Sequence, residues 1–255
     1  MSEKRFTPGR VTWRELMTLD SQRAKAFYGE LFGWTFVPFD LGPDGGNYEG
    51  IKLGEKLIGG IWEIRKGESP TSIFMSYVSV KDVDAAAKRA QENGGQVAHG
   101  PKDIPNMGRF AVLMDSDNAV IIAYQDLNGD PEPAMPKAGE FCWETLSTND
   151  VERAKAFYSK VFGWQARSFQ GGMSVFGVDD TPEGAVADIE KAQNMPPQWF
   201  TYVVVDRIET ARDKAAKLGA QVLVPLVEVP NIGRIAMIVD PTGAPLGLFD
   251  HGGKA

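Results

Sequence analysis

Glu15 stands between Trp13 and Met17 in the stretch Val11 to Leu19, where bulky and polar residues alternate. Alternate side chains of a strand share a face, so Trp13, Glu15 and Met17 lie together, opposite Leu16. A carboxylate set among aromatic and thioether groups has its charged form disfavoured. It can then act as a general base or seat a cationic ligand. The competing reading is a solvated glutamate, or one paired with an arginine such as Arg109.

The same stretch recurs 130 residues later, with Trp143, Thr145 and Ser147 in those places. Two further strand-like stretches offer Met75, Tyr77 and Ser79, and Phe200, Tyr202 and Val204. A wall of Trp, Tyr, Met and Phe with few polar groups is how a small-molecule pocket is built. It is equally how a sheet face fills its own space. Arg109 and Arg234 each close a P-N-x-G-R turn, at 105–109 and 230–234. Asn and Gly there accept positive φ, and the arginines are placed either to cap an anionic ligand or to pair with carboxylates. Cys142 aligns with Thr12 on the opposite face and reads as a small buried hydrophobe rather than a nucleophile. Only two histidines occur, His99 and His251. They hardly support a Ser-His-Asp set, and no P-loop or dinucleotide fingerprint is present.

Composition narrows the classes further. The 255 residues carry 27 basic and 34 acidic side chains, net −7, with no Lys/Arg cluster, which argues against nucleic acid as partner. No apolar run reaches the length of a membrane helix, and the opening MSEKRFTPGR does not read as a signal peptide. A lone cysteine forms no internal disulfide and fits a reducing compartment, so a cytoplasmic location is expected.

The elements that must position these residues come from a duplication. Residues 10–34 and 140–164 share Trp, Leu, Thr, Asp, RAKAFY and FGW, and DIPNMGRFAVLMD (103–115) returns as EVPNIGRIAMIVD (228–240). Ala24, Phe27, Tyr28, Leu31 and Phe32 fall on one helix face, with Asp20 as N-cap and Gly33 as the terminating glycine. Strand-like stretches and Gly-rich turns follow to residue 66, and the same order then repeats three times. Four β-α-β-β-β modules are predicted, in domains at 8–128 and 139–252 joined by a Pro-containing linker at 129–138.

These motifs resemble the vicinal oxygen chelate superfamily of glyoxalase I, bleomycin-resistance proteins and extradiol dioxygenases. The resemblance is carried by Leu16, Asp20, Phe27-Tyr28 and Phe32-Gly33-Trp34, by Leu146, Asp150, Phe157-Tyr158 and Phe162-Gly163-Trp164, and by Gly233-Arg234 with Asp240-Pro241-Thr242-Gly243. The first copy has Asp115-Ser116-Asp117-Asn118 at the last turn, where Asn replaces Gly at a positive-φ position. The chain is similar to two-domain actinobacterial members described as hydroxylase-like or glyoxalase-like. The resemblance implies an α+β fold in which paired modules form curved mixed sheets around cavities. Four modules in one chain would then be a fused, monomeric pseudo-dimer.

Members that use a metal hold it with His, Glu or Gln. The resemblance places one ligand position on each module's first strand, which here gives Trp13, Met75, Trp143 and Phe200. The acidic position on the final strand falls on Gly247 and Ile122, and the other acidic position near Gly60 and near Ala187 or Asp188. Glu15 with Glu63 or Asp188 remains as a carboxylate-only set. The expectation is therefore a protein without the usual metal centre and with no cofactor. It would take a small organic molecule into an aromatic-lined cavity, contacted by Trp13, Met17, Met75, Tyr77, Arg109, Trp143, Thr145, Phe200, Tyr202 and Arg234. The alternative is a glyoxalase-like lyase or oxygenase, using either a carboxylate-bound metal or Glu15 as a metal-free base. A third reading fills the cavities and puts the function on the surface.

Overall fold

The computed structural model describes residues 5–39, 47–65, 67, 69–168, 174–178 and 196–252, and the backbone of 181–188. Module 1 comprises β1 (Val11–Thr18), α1 (Ser21–Phe32), β2 (Thr35–Pro38), β3 (Glu49–Leu53) and β4 (Lys56–Glu63). Module 2 comprises β5 (Ile73–Ser79), α2 (Val83–Glu92), β6 (Gln96–Ile104), β7 (Gly108–Met114) and β8 (Val120–Asp126). Module 3 follows with β9 (Phe141–Thr148), α3 (Val151–Phe162), β10 (Gln165–Ser168), β11 (Ser174–Val178) and β12 (Thr181–Asp188). Module 4 has β13 (Gln198–Val204), α4 (Ile208–Lys217), β14 (Gln221–Val229), β15 (Gly233–Val239) and β16 (Pro245–Asp250). The expected α+β architecture of four βαβββ modules is thus observed.

Local chemistry sets the helix ends. Asp20 is extended and accepts a hydrogen bond from the Arg23 amide, while Gly33 takes φ 75° and closes α1. Asp150 and Gly163 do the same for α3, and Asp82 caps α2 through the Ala85 amide. Asn118 takes φ 69° where the second repeat has Gly243 at 99°. Asn106 and Asn231 lie at 61° and 63°, so the two P-N-x-G-R stretches are asparagine-dependent turns.

In each module the first strand lies parallel to the last, and the intervening pairs are antiparallel. The β1–β4 register pairs Glu15 with Gly60, Leu16 with Ile61, Met17 with Trp62 and Thr18 with Glu63. Leu16 and Ile61 are buried in a core with Ala24, Phe27, Tyr28 and Leu31 of α1. Their parity therefore faces the helix, and Glu15, Gly60, Met17 and Trp62 face the other side.

The chain packs as two compact units that interleave the repeats. One holds Met1–Trp13, Met75–Pro133 and Glu144–Trp199, hence mainly modules 2 and 3. The other holds Arg14–Phe74, Ala134–Trp143 and Phe200–Ala255, hence mainly modules 1 and 4. Each unit has its own apolar core. Within the second, Trp34 Nε1 donates to the Gly139 carbonyl at 2.8 Å. Within the first, the repeat-related Trp164 donates to Gly9 at 2.6 Å.

Candidate functional site

The face of module 1 turned away from its helix carries the densest set of functional groups. Glu15 lies there, only 8% exposed. Its register partner is a glycine for a steric reason. A Cβ on Gly60 would run into the hydroxyl and ring of Tyr48. Adjacent strand partners project to the same side, so the Tyr48 hydroxyl lies over Gly60 on the face that carries Glu15. Gly50 pairs with Gly60 on the next strand and leaves room for Val37, Phe39 and Leu57.

Three rings follow one another on this face. Phe39 and Tyr48 meet edge to face at 6.0 Å, and Tyr48 and Trp62 lie 6.2 Å apart. The Arg65 guanidinium stands 5.8 Å from the Trp62 ring centre, within cation–π range. Met17, paired with Trp62, adds a polarizable thioether. Tyr48 is buried, whereas Phe39 and Trp62 are half-buried, so the wall is closed at Glu15 and open at the outer rings. A cavity of about 210 Å³ borders Trp62, lined also by Asn47, Glu63, Ile64 and Arg65.

Reasoning from sequence found Glu15 and Met17 but missed Phe39, Tyr48, Trp62 and Arg65. The signal was the glycines: Gly50 and Gly60 interrupt strands at positions where a ring must lie against the backbone.

On the corresponding face of module 4, Phe200 and Tyr202 are buried. Tyr202 pairs with Gly247, and a Cβ on Gly247 would collide with the Tyr202 ring. In module 2, Met75 and Tyr77 are buried, Tyr77 is paired with Ile122, and its ring lies edge-on to Tyr124 at 5.6 Å. Burial and the nearby Asp126 push the Tyr124 hydroxyl well above its ordinary pKa. In module 3, Trp143 and Thr145 are half-buried. The Ser147 hydroxyl is buried without a hydrogen-bond partner among the described residues. Trp13 is half-buried on β1.

The two arginines are placed otherwise than as caps on an anionic ligand. Arg109 shares its parity with the core residues Ala111 and Leu113, so it faces the helix side. It bonds Asp84 on α2 at 2.7 and 2.9 Å and Asp103 at 2.8 Å, rather than pairing with Glu15. Arg234 likewise holds Asp250 at 2.6 and 3.0 Å, and Glu209 on α4. Alternation along β7 and β15 put them there, a parity that the turn motif alone did not reveal.

The carboxylate pair Glu15 and Glu63 is also separated. Three residues of register lie between them, so they occupy opposite faces. Glu63 accepts from the Ser21 amide at 3.0 Å and from its hydroxyl, at the start of α1. Asp188 is aligned with Thr148, and its side chain lies outside the described residues. Cys142, half-buried, directs its sulfur to the Tyr202 carbonyl at 3.5 Å. A larger cleft of about 480 Å³ lies on the helix side of the same unit, lined in part by Leu31, Phe32, Val205, Arg207 and Lys214. Its charged groups are Asp206, Arg207 and Lys214, and Lys214 is engaged by Glu30, so the ring-lined face is taken as the candidate.

The model of the Glyoxalase/Bleomycin resistance protein/Dioxygenase superfamily matches residues 10–123 and again 142–248. The chain belongs to this superfamily. CFP32 of Mycobacterium tuberculosis, named as a candidate glyoxylase, is 29% identical over 245 residues, covering 94% of each chain. The anthracycline biosynthesis protein DauV of a Streptomyces species is 27% identical over 259 residues, covering 94% of this chain and 92% of its own. Among solved structures, the Mn(II)-bound glyoxalase of Novosphingobium aromaticivorans superposes with TM-score 0.65 at 16% identity, over 98% of this chain and 83% of that one. The 2,3-dioxygenase LapB of a Pseudomonas species gives 0.66 at 13%, over 97% and 94%. These two likenesses establish the fold alone.

The resemblance assigns metal-ligand positions to the first and last strands of the modules, and among the last-strand positions the side chain of Asp188 lies outside the described residues. The first-strand positions hold two tryptophans, a methionine and a phenylalanine, none a ligand for a hard or borderline divalent ion in this setting. Of the last-strand positions, Gly247 is overlaid by Tyr202, and Gly60, near which another falls, by Tyr48. Among the described residues no three His, Cys, Asp or Glu side chains converge.

Proposed function

We propose that this superfamily member binds a small organic molecule on its ring-lined sheet faces and holds it without the family's metal chemistry. One observation carries the reading: the four first-strand positions that the resemblance assigns to metal ligands hold Trp13, Met75, Trp143 and Phe200. A face of rings with few polar groups suits a flat apolar body. The buried Ser147 hydroxyl, without a hydrogen-bond partner among the described residues, offers a second polar handle in the other repeat. The name of the relative DauV, an anthracycline biosynthesis protein, accords with an aromatic ligand. The duplication supplies both members of a domain pair, so the chain is read as a monomeric pseudo-dimer, and its single thiol accords with the cytoplasm.

Protein purified without chelator should carry far less than one equivalent of Fe, Mn, Ni or Zn by elemental analysis. A library of small aromatic compounds should contain members that raise its melting temperature. Stoichiometric, tightly held metal would overturn the reading.

Glu15 supports a second reading, because a buried carboxylate among rings is also a candidate general base. In that case the protein would be a metal-free glyoxalase-like lyase, and Glu15→Gln would abolish turnover while leaving ligand binding intact.

A further inference from the structure

The cleft on the helix side of the unit formed mainly by modules 1 and 4 borders none of the rings that line the candidate face. We propose that it is a second binding site, for an amphipathic organic carboxylate. The carboxylate meets Arg207, and the apolar body lies against Leu31, Phe32, Val204 and Val205.

Volume, floor and rim agree on that class of ligand. The cleft holds about 480 Å³, within the range of small-molecule pockets. Leu31, Val204 and Val205 are buried and Phe32 is half-buried, which gives an apolar floor. Arg207, Thr210, Ala211 and Lys214 border it at i, i+3, i+4 and i+7, along one side of α4. Asp206, Arg207 and Thr210 are exposed, so the polar groups stand at the rim. Lys214 is engaged by the carbonyl and the carboxylate of Glu30. The Arg207 side chain makes no hydrogen bond or ion pair among the described residues. Its planar fork of donors suits a carboxylate.

The other unit shows the same place with its charges satisfied from within. Asp82 stands where Arg207 does and accepts from the Ala85 amide at 2.9 Å. Arg89, the counterpart of Lys214, donates twice to the Val161 carbonyl, at 2.9 and 3.2 Å. In the unit of modules 1 and 4 the first charge is reversed and the cation is left over. A residue that breaks a local rule with no structural gain marks a site with another use. Asp206 narrows the anion further. A carboxylate brings one negative charge and a phosphate monoester about two, so repulsion from Asp206 favours the carboxylate.

Calorimetry on the full-length protein with octanoate, 1-octanol and octyl phosphate tests the assignment. Octanoate should bind at least about tenfold more tightly than octanol, which has the same chain and no charge. It should also bind more tightly than octyl phosphate. Arg207→Met should weaken octanoate about tenfold and leave octanol unchanged. Asp206→Asn should strengthen octanoate and narrow its lead over octyl phosphate. Arg207→Asp separates binding from folding: the melting temperature should rise while octanoate binding is lost. Equal affinity for octanoate and octanol would overturn the assignment. So would full octanoate affinity in a folded Arg207→Met or Arg207→Asp protein, or no octanoate binding to the wild type. Octyl phosphate bound as tightly as octanoate would overturn the choice of carboxylate.

Discussion

Tyr28 donates its hydroxyl to the Asp240 carboxylate at 2.9 Å across 212 residues of sequence, and both groups are buried. Tyr158 repeats the bond to Asp115, also at 2.9 Å. The tyrosine of each Phe-Tyr pair thus reaches the aspartate of the last-strand turn in the opposite repeat. The other carboxylate oxygen is taken by the turn itself: the Thr242 and Ala244 amides bind Asp240, and the Asp117 and Ala119 amides bind Asp115. One side chain closes its own turn and ties a distant helix to it. Burial, with the adjacent carboxylate behind it, raises both tyrosine pKa values, so each phenol is held as a neutral donor.

Removing that donor leaves a buried carboxylate short of a partner. Tyr28→Phe and Tyr158→Phe should therefore each destabilise by about 1–3 kcal/mol. The loss should be larger at Tyr158, whose oxygen also accepts from Trp199 Nε1 at 2.9 Å, a bond Phe74 does not supply to Tyr28. Urea midpoints of the two variants test the order. Equal midpoints would mean that the Trp199 bond contributes nothing.

Gly247 and Tyr202 form a second linked pair. Gly247→Ala brings a methyl group into the Tyr202 ring and should cost about 1–3 kcal/mol through overpacking. Tyr202→Leu removes the obstacle, so the double variant should be more stable than additivity allows. A double-mutant cycle in urea measures the coupling. A coupling energy near zero would show that the ring moves aside freely.

Much of the fold was legible because it rests on local chemistry. Asp20, Gly33, Asn118 and the spacing of Phe27, Tyr28 and Leu31 each specify backbone conformation or a helix face within a few residues. What the repeated phrase did not disclose is what its large side chains bind. Tyr28 and Trp34 look like helix and turn residues along the chain, yet their polar atoms reach Asp240 and Gly139 in the other repeat. The candidate site was legible only at Glu15 and Met17, whose strand alternates cleanly. Tyr48 and Trp62 were hidden because their roles follow from Gly60, and a glycine's reason for being small appears only when register brings a ring over it. Arg109 and Arg234 were misplaced because a turn motif does not set the parity of the strand after it.

The Arg234 cluster gives a pH dependence with a defined sign. Burial pushes Asp250 up, but Arg234 and the Ile208 and Gly252 amides outweigh it and hold the carboxyl below its ordinary value. Glu209 is also held low, by its own backbone amide and then by Arg234. Depressed folded-state values mean stability that is present above the unfolded pKa values, about 3.9 and 4.3, and is lost as pH falls through the folded ones. The melting temperature should therefore fall as pH drops below about 4. Arg234→Met should lower it at neutral pH and flatten that acid limb. An acid limb as steep as the wild type's would show that other carboxylates carry it.

The start of α4 is the one helix N-terminus among the described residues where the repeats disagree. Asp82 caps α2, but its counterpart Arg207 precedes α4 in the same extended conformation, φ −143° and ψ 112°, and makes no side-chain cap. Asp250 accepts from the Ile208 amide at 3.0 Å, but the residue at the N-cap position supplies no acceptor of its own. A cation there also opposes the positive end of the helix dipole. Arg207→Asp should therefore stabilise the protein by about 1 kcal/mol, and the uncharged Arg207→Ser by a similar or smaller amount. Melting temperatures at low and high salt separate the two contributions, because the hydrogen bond of the cap persists in salt while the dipole effect is screened. No gain in either variant at any salt concentration would mean that Arg207 makes a compensating contribution in the cleft it lines with Thr210 and Lys214.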